Sequence, residues 1–74
     1  MSARFDETKF TRTFGAKLRR ERTARGITQE CLAELADLNP RTVQKIEAGG
    51  ITILVTTLQR LRAALGCEWK RLLG

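Results

Sequence analysis

At 74 residues the chain is one domain near the lower size limit for unaided folding, so its single core supplies little surplus stability and a deep catalytic cleft is not expected. Its 14 Lys and Arg against 8 Asp and Glu leave a net charge of +6, which suits a polyanionic partner. Histidine is absent, which removes the usual metal-ligand clusters and any Ser-His or Cys-His dyad, so no catalytic residue, metal or cofactor is expected.

No apolar run approaches the roughly 18 residues of a membrane span, and residues 1–10 are too polar for a signal peptide. A cytoplasmic protein without membrane contact is expected. The two cysteines, Cys31 and Cys67, read as reduced thiols, with Cys67 helping to fill the core.

Gly26, the pair Gly49 and Gly50, and Gly66 break the chain into segments. Between them apolar residues recur at helical spacing and no stretch alternates as a half-buried strand would, so the fold class is all-α. Residues 1–9 read as a flexible polar arm with an unplaced Phe5, and residues 10–74 as the folded domain. The first helix is expected at 11–24 with Phe14 and Leu18 inward, and Phe10 one turn earlier suggests a sooner start. The second spans 29–36: Thr28 supplies its cap, and Leu32, Ala33 and Ala36 face inward. The third spans 40–48, with Asn39 as cap and Pro40 in the first position, where a missing N–H costs nothing. A fourth helix is expected at 53–65 and a short fifth at 68–73.

Only Asp37, Leu38 and the cap Asn39 separate the second and third helices. So short a connection makes them cross steeply, and the third then projects one face away from the body. Val43, Ile46 and Glu47 share its inward face by their spacing of three and four, while Arg41, Gln44, Lys45 and Ala48 share the outward one. The outward face carries donors fitted to base edges and phosphates.

A set of residues in order and at matching spacing runs from Phe14-Gly15 through Leu18-Arg19 and Arg22 to Arg25-Gly26-Ile27-Thr28-Gln29-Glu30. It continues with Leu32-Ala33, Val43, Lys45-Ile46-Glu47-Ala48-Gly49, and Leu58 to Leu65-Gly66. In these residues the chain resembles the phage repressor and Cro-like (XRE-type) helix-turn-helix family over about residues 14–73. The resemblance implies a compact five-helix lambda-repressor-like domain that binds double-stranded DNA. It implies that Gln29 touches the DNA backbone and braces the recognition helix, beside the N–H groups that open the second helix after Thr28. Arg22 matches the family's first-helix Arg, which pairs with a Glu at the end of the recognition helix, here Glu47, while still reaching a phosphate. The base-reading positions fall on Pro40, Arg41, Gln44 and Lys45, with Thr42 beside them.

Four departures stand out. Pro40 has no donor and offers only apolar contact, and Asp37 stands where the family usually has Gly, so the turn is expected to differ slightly. Glu21 stands where the first helix is commonly apolar and is expected to be held at the surface by Lys17 and Arg25, each four residues away. The loop Gly49-Gly50-Ile51-Thr52 lacks the basic residues many relatives use on phosphates, which leaves that work to backbone N–H groups.

Ile51, Ile53, Leu54 and Val55 are more apolar than a helix start needs, and one helix face does not bury all of them. In relatives this loop and the C-terminal helix often form a two-fold contact. The expected interface is therefore Ile51, Ile53, Leu54, Trp69 and Leu72, although Trp69 also suits the core. Together these features predict a transcriptional regulator, a repressor acting as a homodimer on a palindromic operator. The alternative is an antitoxin or adaptor that holds a partner protein and uses DNA binding for autoregulation.

Overall fold

The computed structural model describes residues 4–74, and within them every regular element is a helix. They are α1 (Glu7–Ala24), α2 (Gln29–Ala36), α3 (Pro40–Ala48), α4 (Val55–Leu65) and α5 (Trp69–Leu73). The segment expected as a polar arm lies outside the described residues at positions 1–3, and from Glu7 onward it belongs to α1. The cause is Asp6, whose carboxylate accepts from the Lys9 N–H at 3.0 Å and caps the helix one turn earlier than expected. Phe5 packs tilted against Phe10, which in turn stacks on Phe14 with ring centroids 6.3 Å apart.

The two central helices begin and end where their caps place them. The Thr28 hydroxyl accepts from the Cys31 N–H at 3.0 Å, and the Asn39 side chain accepts from the Arg41 N–H at 2.9 Å. Asp37 ends α2 in the left-handed region at φ 56°, the conformation for which a glycine would ordinarily be chosen. The α4 helix starts two residues later than expected, at Val55, with no side chain capping it.

Phe14 and Leu18 of α1, Leu32, Ala33 and Ala36 of α2, Val43 and Ile46 of α3, and Leu61 and Leu65 of α4 form the core with Cys67 and Leu72. Gly15 lets α1 and α3 touch backbone to backbone: a Cβ there would collide with the Ile46 carbonyl and sit 2.8 Å from the Glu47 carbonyl oxygen. Gly49 plays the same part at the end of α3, where a Cβ would fall 2.8 Å from the Cα of Arg12. Where α3 crosses α1 is therefore fixed by two close approaches.

Glu21 is buried, which corrects the expectation that it lies at the surface. Arg25 donates to its carboxylate at 3.0 Å and Arg20 at 3.3 Å, whereas Lys17 makes no hydrogen bond or ion pair with it. The hydrogen bond from Arg25 holds its carboxyl below the ordinary glutamate range, against burial, with Arg20 assisting. Among the described residues no helix is long and apolar enough to cross a membrane.

Candidate nucleic-acid interface

Val43 and Ile46 are buried, and the opposite side of α3 presents Arg41, Gln44, Lys45 and Ala48 to solvent. Pro40 is exposed at its first turn and Thr42 is half-buried at its edge. The side chains of Arg41, Gln44 and Lys45 make no hydrogen bond or ion pair with any other described residue, so their donors are available to a ligand.

Glu47 anchors this helix. Its carboxylate accepts from Arg22 Nε at 2.6 Å and Nη2 at 3.0 Å, a two-pronged pair, and from Gln29 Nε2 at 3.0 Å. Arg22 also donates from Nη1 to the Ile27 carbonyl at 2.9 Å. Side-chain exposure is only 12% for Arg22 and 4% for Glu47, so the pair is largely withdrawn from water. The Glu47 hydrogen bond raises the Arg22 pKa above the ordinary arginine value, with burial opposing. Residues from α1, α2 and α3 thus meet at one carboxylate. The pairing expected of Arg22 and Glu47 is present, and Gln29 braces the recognition helix by bonding to Glu47.

The loop after α3 differs from expectation. The Gly49 N–H donates to the Ile46 carbonyl at 3.0 Å and the Gly50 N–H to the Lys45 carbonyl at 3.1 Å, so both amides are consumed in closing the helix. These two amides are therefore not free for a phosphate, whereas those of Ile51 and Thr52 have no acceptor among the described residues.

Of the residues expected at a two-fold contact, Leu54 is 68% exposed, and Val55 beside it is 70% exposed. Ile51 and Ile53 are half-buried against the core. Trp69 is partly exposed, with the Arg62 guanidinium 5.3 Å from its ring centroid. Leu72 is a core residue, 1% exposed, because α5 folds back on α1 and turns it inward, so it is not available to a second chain. The sequence names Arg19 only within the family motif and Phe10 only as a sign of an earlier helix start, and gives neither a role at the interface, although Arg19 stands three residues before Arg22 and so shares its side of α1.

Two short helices joined by a three-residue turn, the second braced from behind and bare in front, define a helix-turn-helix DNA-binding domain. The chain matches the helix-turn-helix family over residues 18–72 and belongs to the XRE-type branch. It is a DNA-binding transcriptional regulator. The fold is similar to that of the restriction-modification controller protein C.AhdI from Aeromonas hydrophila, with a TM-score of 0.81 and 35% identity over 84% of this chain and 94% of that one. No curated protein matches the chain significantly.

Proposed function

We propose that the protein binds a palindromic operator as a homodimer and represses transcription by occupying promoter DNA. Support comes above all from the bare face of α3, where Arg41, Gln44 and Lys45 project from a helix whose rear is tied down through Glu47. Arg41 is the best-fitted specificity residue, since a guanidinium pairs with guanine O6 and N7 and discriminates by roughly 1–3 kcal/mol. Gln44 suits adenine, Lys45 a guanine or a phosphate, and Pro40 a thymine methyl. Thr28, Gln29 and the Ile51 and Thr52 amides hold the backbone on the two sides of the groove.

One recognition helix with few phosphate contacts binds weakly as a monomer, and the exposed Leu54 and Val55 supply a surface for pairing. The similarity to a restriction-modification controller favours promoters of restriction-modification genes as the regulated set. Selection of bound sites from random DNA, followed by sedimentation on the selected duplex, tests this reading. An inverted repeat with half-site centres about 34–36 Å apart and two chains per duplex is expected. A lone half-site carrying one chain overturns it.

A further inference from the structure

We propose that Arg19 is a phosphate-binding residue of the DNA interface, gripping the strand that passes the Gln44 flank of α3. Arg19 lines an open cleft beside the bare face of α3 together with Arg22, Gln29, Gln44, Glu47 and Ala48. Within that cleft the positive charge of Arg22 is neutralised by Glu47, and three of its donor positions are already bonded. Arg19 is exposed, and its guanidinium makes no hydrogen bond or ion pair with any described residue. Its neighbour Arg20 turns the other way, toward Glu21 and the Arg71 carbonyl at 2.9 Å. Among the described residues lining the cleft, Arg19 alone brings a cation that no carboxylate compensates.

The Gln29 amide donates one N–H to Glu47, which leaves its second N–H free to donate into the same cleft. A phosphate oxygen placed there meets Gln29 and Arg19 together. The opposite flank has little to offer it in exchange, because Gly49, Gly50, Ile51 and Thr52 carry no basic side chain and two of their amides are consumed in the helix cap. Phosphate charge at this domain is therefore met mainly from α1.

This inference rests on α3 being the reading helix, and the experiment separates the two. Affinity of the full chain for its selected operator and for an unrelated duplex is measured across a salt series for wild type, Arg19→Ala, Arg19→Lys, Lys70→Ala and Arg41→Ala. Each phosphate contact contributes about 0.9 to the slope of log K against log salt. Arg19→Ala should flatten that slope by about 0.9 per bound chain on both duplexes, and Arg19→Lys should restore most of it. Lys70→Ala removes the same charge from exposed α5 and should leave the slope as it was. A slope for Arg19→Ala equal to that of wild type or of Lys70→Ala overturns the proposal. Should Arg41→Ala fail to narrow the preference for operator over unrelated DNA while Arg19→Ala still flattens the slope, the phosphate contact stands and the reading role of α3 falls.

Discussion

Replacing Glu47 by Ala removes the carboxylate on which α1, α2 and α3 converge. The wild-type group accepts three hydrogen bonds, two of them from a guanidinium at 2.6 and 3.0 Å, with both side chains largely buried. Removing one partner of such a pair costs roughly 3–5 kcal/mol, mostly because the other charge is left uncompensated. Arg22 keeps its bond to the Ile27 carbonyl and some contact with water, which places the loss near the lower end, about 3 kcal/mol. A chain of this length has a total stability of roughly 4–11 kcal/mol, so this is a large share of it. At about 4–8 °C per kcal/mol, Tm should fall by roughly 12–24 °C in a circular-dichroism melt. The double variant Arg22→Met, Glu47→Ala removes the orphaned charge and should melt above Glu47→Ala alone. A Tm for Glu47→Ala within about 2 °C of wild type would refute the reasoning and reduce the pair to an ordinary surface contact.

Arg41→Ala should relax preference at one operator position, at a cost of roughly 1–3 kcal/mol in binding, with an unchanged melt; equal weakening on every sequence would make it a phosphate contact. Glu21 is lowered below the ordinary value of 4.5, so the stability it contributes is complete above that pH and is lost as pH falls through its depressed value. Acid melts should therefore show a decline below about pH 4.5 that is shallower in Glu21→Gln. Leu54→Lys places like charges across a two-fold axis and should give a folded monomer by sedimentation with sharply reduced operator affinity, and a wild type that sediments as a monomer on its selected site would exclude the dimer.

The parts of the fold that were legible in the sequence are those with a local chemical cause. Thr28 and Asn39 stop and start the chain by bonding to N–H groups two or three residues on, so α2 and α3 fall where those residues put them. Asp6 carries the same signal for α1, but the polar residues after it conceal a helix that has no apolar stripe until Phe10. Nothing caps α4, so its first residue has no mark in the sequence at all. The burial of Glu21 is implied by its place three residues after Leu18 and seven after Phe14, a geometric fact that outweighs its charge only because Arg25 and Arg20 reach it. Leu72 shows the converse limit. Its periodicity says only that one face of α5 is apolar, and whether that face meets α1 or a second chain is decided by a tertiary contact no local pattern encodes.

A carboxylate in the cleft of a DNA-binding protein opposes the phosphates it must admit, and its retention there needs a reason. On the proposed reading Glu47 lies on the helix that enters the groove, and a nine-residue helix such as α3 does not hold its shape or its angle by itself. Backbone contact at Gly15 fixes where α3 crosses α1, but contact alone leaves it free to rotate. The pair with Arg22 and the bond from Gln29 remove that freedom, because both prongs of the guanidinium must meet the carboxylate in one plane. Neutralising Arg22 is the electrostatic consequence, and on the proposed reading it shifts phosphate attraction outward to Arg19 and leaves Arg41 and Lys45 for the bases. In Glu47→Ala these two effects separate. Below its melting temperature that variant carries one more uncompensated positive charge on the DNA face and a less constrained α3, so it should bind unrelated duplex at least as tightly as wild type while distinguishing the operator from it less well.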